Sequence, residues 1–170
     1  MDLFTAIKTR RSIRRFKDKP VEEDKLKRVL EAARLAPSAR NLQDWKFILV
    51  TDRVLREKLA EAAKGQRFVA EAPVVIVACG TKTDYIMTCG QYSYTLDVSI
   101  AVTHIILKAV EEGLGTCWLG AFHEGEVKKI LGIPEQIKVV AMIPIGYPDI
   151  EPKATSRKPL EEIFCLNKWS

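Results

Sequence analysis

Residues 92–112 constrain the fold more than any other part of this sequence. At helical spacing, their apolar side chains lie on almost every side of the helix. A helix that is apolar on most sides is buried on most sides, so in a chain of 170 residues it is either a central helix or part of an interface between subunits. His104 lies on this helix, and we interpret it as a hydrogen-bonded core or interface residue. The apolar positions are Leu96, Val98, Ile100, Ala101, Val102, Ile105, Ile106, Leu107, Ala109 and Val110.

Shorter helices and strands alternate along the rest of the chain. The apolar run at residues 73–79 has strand length and predicts a strand that is covered on both faces. Pro144 interrupts the last predicted strand and indicates its edge or its end. The interleaved order predicts one domain of mixed helix and sheet, with helices on both sheet faces. The predicted helices are residues 3–9, 22–35, 53–63 and 125–131, and the predicted strands are residues 46–51, 73–79, 116–119 and 139–145.

Composition excludes several classes of protein. Hydrophobic residues make up 47% and charged residues 29% of the chain, which is a globular balance rather than a disordered one. No run reaches the roughly 18 consecutive apolar residues of a membrane helix, and no signal-peptide layout opens the sequence. We therefore expect a cytoplasmic protein that does not bind membranes. The four cysteines have neither CxxC spacing nor a nearby histidine ligand, so no metal site is expected.

Residues 10–15, with the sequence RRSIRR, carry the strongest local signal. The formal net charge of +5 favours anionic partners without choosing among them. Guanidinium groups match phosphate geometry, and a serine hydroxyl adds a donor. Alone, such a run is also compatible with a solvated basic surface or with a nucleic-acid-binding arm. No groove-reading motif accompanies it, and acidic residues interrupt any broad basic face, so we expect no nucleic-acid partner.

Three other segments could contribute to a site. Residues 37–45 place Ser, Asn, Gln and Trp in one loop before a strand, and residues 113–122 are rich in glycine. Glycines allow close backbone approach to a flat ligand, but the spacing fits neither the dinucleotide fingerprint nor the P-loop. Residues 155–159 form a second basic spot. Alone, the loop is as compatible with a turn that packs a Trp as with a ligand site, and residues 155–159 are best explained as a solvated end. Cys117 has no assignable base beside it.

Taken in order, these segments resemble the FMN-dependent nitroreductase family, especially its short members. The resemblance implies an α+β sandwich in which helices flank a mostly antiparallel central sheet, assembled as an intertwined homodimer. It also implies a single domain over residues 1–170, in which residues 147–170 form an extended tail that reaches the partner subunit. The matching motifs are Arg10-Arg11-Ser12 with Arg14-Arg15-Phe16, Pro37-Ser38-x-x-Asn41-x-Gln43-x-Trp45, Glu71-Ala72-Pro73-Val74-Val75, Gly113-Leu114-Gly115-x-x-Trp118-Leu119-Gly120, and the segment from Gly146-Tyr147-Pro148 to Arg157-Lys158-Pro159.

The same resemblance implies where FMN would bind. Arg10 and Arg157 would hold the phosphate, with Ser12 and Arg11 in support. Arg14 would lie near the pyrimidine edge of the flavin, where a positive charge stabilises the reduced ring. Backbone groups of Leu119 and Gly120 would approach the ring, and Gln66 would reach its edge. The partner subunit would supply Pro37, Ser38, Ala39 and Asn41.

The implied activity is hydride transfer from NAD(P)H through the flavin to a small acceptor such as a nitroaromatic or a quinone, in ping-pong order. The cofactor carries this chemistry, so no protein nucleophile is required. The alternative is a flavin-binding or storage protein without turnover. Asp44 stands where many family members have Pro, Leu119 replaces an acidic residue of longer members, and the long insertion that roofs the pocket of larger members is missing.

Overall fold

The computed structural model describes residues 1–169. Most predicted elements are confirmed to within one or two residues. The additional element is the one-turn helix α4, which is too short to show a hydrophobic period. The elements are α1 Leu3–Thr9, α2 Glu23–Arg34, β1 Trp45–Val50, α3 Arg53–Ala62, α4 Phe68–Glu71, β2 Val74–Gly80, α5 Ser93–Glu111, β3 Gly115–Thr116, α6 Glu124–Leu131 and β4 Lys138–Gly146, with 3-10 turns at Ala39–Asn41 and Leu160–Glu162.

The four strands form one sheet in the order β1-β2-β4-β3, and every neighbouring pair is antiparallel. Trp45 lies opposite Gly80 in the β1–β2 pair, and Val74 lies opposite Ile145 in the β2–β4 pair. The predicted α+β class with a mostly antiparallel sheet is therefore confirmed. Of the two positions predicted for Pro144, the sheet edge is wrong, because β4 lies between β2 and β3. The strand end describes it better, since Pro144 lies two residues before the last residue of β4.

Alternate residues of β2 face two separate cores. Val75, Val77 and Cys79 pack in a core with α3, α4 and α6, while Val74 and Ile76 pack in a core with α2 and α5. Every residue of β2 is buried. The sheet is thus covered by helices on both faces, which is why its central strand could be recognised as a continuous apolar run.

Helix α5 packs its buried side on α2 and the sheet. Val98, Ala101 and Val102 are fully buried, whereas Leu96 and Ile100 are 42% and 38% exposed. By length and a mean hydropathy of 1.2, α5 is the single helix among residues 1–169 that could cross a membrane. Its burial against two layers of the same domain is the pattern of a core helix. The subunit interface predicted for α5 stays a prediction, and the exposed Leu96 and Ile100 side chains are available for it.

The basic segment lies along the β3–β4 edge of the sheet. Ser12 forms a parallel bridge with Thr116, and the Ile13 N–H donates to the Thr116 carbonyl at 2.9 Å. Farther along, the Lys17 N–H donates to the Tyr147 carbonyl at 2.9 Å. This pairing brings the segment against the residues that lead into the tail. From residue 153 to residue 169 the tail is exposed.

The predicted strand over residues 116–119 is only partly correct. Strand β3 covers Gly115–Thr116, and the chain then leaves the sheet before Leu119 forms a bridge with Met142. Gly115 is required at this point because an added Cβ would lie 2.5 Å from Ile13 Cγ1.

Candidate functional site

Two distant basic segments line one cleft of about 540 Å³. Arg10 and Ser12 come from the segment after α1, and Arg157 comes from the tail. Two guanidinium groups and a hydroxyl suit a phosphate. The volume is within the range of about 300–1,000 Å³ that is usual for cofactor sites. The remaining lining residues are mostly apolar or small, namely Ile7, Thr103, Ile106, Leu107, Thr116 and Trp118.

Arg11 is held at the edge of this site. Its Nη1 donates to the Lys8 carbonyl at 2.9 Å and to the Arg10 carbonyl at 2.8 Å. These bonds satisfy carbonyls at the end of α1. Arg11 therefore fixes the backbone that carries Arg10 and is not itself among the residues that line the cleft.

Arg14 belongs to the same segment but is not among the residues that line the cleft. Its guanidinium carbon is 6.0 Å from the centre of the Phe68 ring, and its side chain is exposed. The nearby Cys117 is 2% exposed. Burial raises the pKa of the Cys117 thiol, and the charge of Arg14, a hydrogen bond with Ser12 and the charge of Arg10 oppose that rise. The thiol is therefore a neutral packing group, in agreement with its interpretation from the sequence.

Gly120 and Gln66 lie close together where the chain leaves β3. Gln66 Nε2 donates to the Ala63 carbonyl at 2.9 Å and to the Ala121 carbonyl at 3.3 Å. Gly120 is exposed, and an added Cβ would meet open space. Leu119 exchanges both of its backbone hydrogen bonds with Met142 at 3.0 Å. Its amide and carbonyl are thus already occupied, and Gly120 is the more accessible backbone of the two.

The loop before β1 is compact and locally strained. Arg40, Asn41 and Gln43 have φ values of 52°, 56° and 51°, and a left-handed residue other than glycine costs about 1 kcal/mol or more. Two side-chain bonds stabilise the loop. Ser38 Oγ accepts from the Gln43 N–H at 3.0 Å, and an Asp97 oxygen accepts from the Ala39 N–H at 3.0 Å.

The structure does not place the residues predicted to come from a partner subunit in the cleft of their own chain; these are Pro37, Ser38, Ala39 and Asn41. The structure thus brings the predicted phosphate-binding residues Arg10, Ser12 and Arg157 together in one cleft, and the loop of the same chain lies outside that cleft. A second subunit would have to bring the loop to the cleft, as the resemblance implies.

Two buried carboxyl groups tie the loop to α5. Asp44 and Asp97 are each 4% exposed. Asp44 Oδ2 accepts from Ser93 Oγ at 3.4 Å, whereas Asp44 Oδ1 and Asp97 Oδ2 are buried without a hydrogen-bond donor among the described residues. Burial and the charge of Asp97 raise the pKa of Asp44.

Sequence reasoning missed several cleft residues. Thr103 and Leu107 lie one turn apart on α5, and Trp118 is 39% exposed despite its size. A threonine on an otherwise apolar helix and a tryptophan between two glycine-rich turns were the available signals. Neither signal could show that these side chains meet Arg10, because that proximity depends on the packing of α5 against β3.

Comparison with known proteins identifies the family to which this fold belongs. The sequence model of the nitroreductase family matches residues 7–73 and 63–147. An NADH dehydrogenase from Thermus thermophilus is 33% identical, with 96% of this chain and 95% of that protein aligned. The structure of an FMN-dependent nitroreductase from Clostridium difficile R20291 is 32% identical with a TM-score of 0.86, covering 98% and 99% of the two chains.

A more distant structure has the same fold. The NADPH:FMN oxidoreductase from Vibrio harveyi, complexed with NAD+, is 26% identical with a TM-score of 0.91, over 99% of this chain and 78% of that one. The matched residues include β1, β2, α5 and β4, and the basic segment at the cleft. The chain belongs to the nitroreductase family.

Proposed function

We propose that the protein binds FMN in the Arg10–Arg157 cleft and works as an NAD(P)H-dependent oxidoreductase. The observation that carries this proposal is the convergence of Arg10, Ser12 and Arg157 on one cleft with apolar walls. Phosphate needs the charged end, and a flat aromatic ring needs the apolar remainder. The relatives named for FMN, NADH and NADPH support the same cofactor and donors.

Each predicted residue has a defined task in this proposal. Arg10 and Arg157 pair with the phosphate, Ser12 donates a further hydrogen bond, and Arg11 holds the backbone of Arg10. Arg14 adds positive charge near the ring, which favours a negatively charged form of a bound ligand.

Around the ring, the Gly120 backbone and Gln66 approach its edge from the end of β3. When bound, FMN supplies the exchange of hydride between a nicotinamide and an acceptor. Trp118 and Leu107 line the cleft and provide apolar surface for the ring.

We further propose that the working unit is a homodimer. The loop residues Pro37, Ser38, Ala39 and Asn41 would then come from the partner subunit. The exposed apolar side chains of α1 and α5 would contact that subunit, and so would the predicted tail over residues 147–170, which is exposed from residue 153 to residue 169. Exposed large apolar side chains that form a patch commonly mark such interfaces. On α1 and α5 the exposed large apolar side chains are Leu3, Phe4, Ile7, Leu96 and Ile100.

We propose a small nitroaromatic or quinone as the acceptor, with NAD(P)H and the acceptor using the open side of the cleft in turn. We also propose a cytoplasmic location, where NAD(P)H is abundant. A flavin-binding protein without turnover would share the same anchor and differ only in the absence of this exchange.

Spectroscopy of the purified protein tests the proposal. We expect flavin absorbance, its bleaching by NADH or NADPH under anaerobic conditions, and its return when a quinone is added. Steady oxidation of NAD(P)H with a quinone would exclude the storage function. A colourless protein that takes up no added FMN would refute cofactor binding altogether.

A further inference from the structure

The buried Asp44 and Asp97 side chains present a problem that the proposed function leaves unexplained. Both are 4% exposed, and each has one carboxyl oxygen without a donor. Buried polar atoms in native proteins nearly always have a partner. Two ionised carboxylates in contact, without a cation between them, would also repel each other strongly.

We infer that Asp44 and Asp97 share one proton in the folded protein at neutral pH and that this shared proton positions the loop over residues 38–43. A proton on either carboxyl turns one acceptor into a donor. It would therefore supply the missing partner of Asp44 Oδ1 and Asp97 Oδ2 at the same time.

The surroundings favour a shared proton over two charges. Among the described residues, the strongest influences on Asp44 are burial and the charge of Asp97, and both raise its pKa. The side-chain contact with Asp97 acts in the same direction, whereas a backbone hydrogen bond to Asp44 and the bond from Ser93 oppose it. The surroundings therefore favour the protonated form of Asp44, and only neutral hydrogen-bond donors oppose it.

The cationic side chains nearby, Arg40 and Lys46, interact with groups other than the two carboxyls. Arg40, from the loop, lies over the Tyr85 ring with its guanidinium carbon 5.3 Å from the ring centre. Lys46, from β1, lies opposite Cys79 and its charge acts on that thiol. The remaining partners of the pair are neutral, namely the Ser93 hydroxyl on α5 and the Ala39 amide of the loop.

Asp97 and Asp44 hold the two ends of the loop, the first through its carboxyl group and the second through its backbone carbonyl. Asp97 Oδ1 accepts from the Ala39 N–H at 3.0 Å at its start. At its end, the Asp44 carbonyl accepts from the Thr81 N–H at 2.9 Å. Between these points three residues adopt left-handed backbone conformations. Such a segment keeps its shape only where the surrounding structure fixes it.

Loss of the shared proton would place two like charges against each other at the base of the loop. Asp97 would then be pushed away from the position in which it binds Ala39. This inference rests on the proposed function in one respect, because the loop carries residues that we assign to the FMN site of the partner subunit. Asp44 and Asp97 touch no cofactor and act as positioning residues.

The first experiment is infrared spectroscopy of the apoprotein in heavy water, because a protonated carboxyl has a carbonyl band that a carboxylate lacks. We expect this band at neutral pH in the wild type and its absence in Asp44→Asn. The matched control is Asp84→Asn on the neighbouring loop, where an exposed aspartate pairs with Lys82 at 3.2 Å. This control should keep the band.

The second experiment measures the dissociation constant of FMN across the pH range in which the band disappears. Wild-type affinity should fall by up to about tenfold per pH unit as the shared proton is lost. In Asp44→Asn the amide N–H can donate to Asp97 at every pH, so affinity should be flat over that range. Asp84→Asn should follow the wild type.

Two outcomes would overturn the inference. One is the absence of a protonated-carboxyl band at neutral pH, with or without a bound metal ion found by elemental analysis. The other is an identical pH profile for FMN binding in the wild type and Asp44→Asn. A protein that shows the band but binds no FMN would refute the proposed function and leave the carboxyl pair established.

Discussion

Removing both arginines of the cleft, in Arg10→Ala/Arg157→Ala, should release FMN and leave the fold intact. A hydrogen bond to a charged group contributes about 1.5–3 kcal/mol. Two such partners therefore contribute about 3–6 kcal/mol, which corresponds to a rise in the dissociation constant of about two to four orders of magnitude. Fluorescence titration of the apoprotein with FMN measures this change, and circular dichroism with thermal unfolding checks the fold.

The structure explains why the fold should survive. The Arg157 guanidinium bonds to Thr155 and Ser156 within its own exposed tail. The Arg10 contact that ends α1 is made by its backbone N–H, 3.0 Å from the Ala6 carbonyl, and alanine retains that group. The double variant should therefore unfold at nearly the same temperature as the wild-type apoprotein.

A charge-matched control separates phosphate binding from general electrostatics. Arg53→Ala/Lys158→Ala removes the same net charge from exposed positions, one of them next to Arg157. It should bind FMN as the wild type does. Equal FMN affinity in the cleft variant and the wild type would refute the assignment of the anchor, and equal losses in both variants would show that net charge rather than contact is responsible.

Three further predictions concern stability, each measured by chemical denaturation. Glu112→Gln should destabilise the protein at pH 7 by about 1–2 kcal/mol, because hydrogen bonds from Arg28 and Lys108 lower the pKa of Glu112 to about 2. The wild-type advantage should be complete above the ordinary pKa of 4.5 and disappear as the pH falls towards 2, so a difference that persists at pH 2 would contradict the ion-pair explanation. Gly115→Ala should lower the free energy of unfolding by about 1–3 kcal/mol through overpacking against Ile13. Gly125→Ala, on α6 where an added Cβ meets open space, should raise it by roughly 0.5–1 kcal/mol. Equal effects of the two substitutions would argue against the close approach of Gly115 and Ile13. Lys128→Ala should cost about 1–3 kcal/mol, because the buried Nζ donates to the Glu135 carbonyl at 2.8 Å and pairs with Glu124 at 3.5 Å, and the exposed neighbour Lys129→Ala should change stability far less.

The sequence predicts local features of this fold much better than it predicts the site. Strand β2 was recognised because a strand covered on both faces is apolar throughout, and α5 because its apolar residues outnumber what one face can hold. Helix α4 has four residues and therefore no period to detect. The strand after Thr116 was overestimated because its regular pairing with β4 ends at Thr116 and returns only as the isolated bridge between Leu119 and Met142.

The site depended on the family resemblance. Arg10 and Arg157 lie near opposite ends of the sequence, and no spacing rule brings them together. The Asp44–Asp97 contact was equally invisible, although an aspartate within an apolar helix is a signal, since a buried carboxylate is rare without a partner. Asp97 carried that signal, but its partner could be identified only from the packing of α5 on the loop.

The position of Arg157 makes the phosphate end of the cleft the part that is lost most easily. Every other lining residue, from Ile7 to Trp118, precedes it in the chain. Arg157 belongs to the tail, which is exposed from residue 153 to residue 169, whereas the sheet and α5 pack in the two cores. Exposed segments with few buried contacts open at low free-energy cost, and proteases cut them first. A cut in the tail would therefore leave the apolar walls of the cleft in place and remove one of its two cationic groups for phosphate.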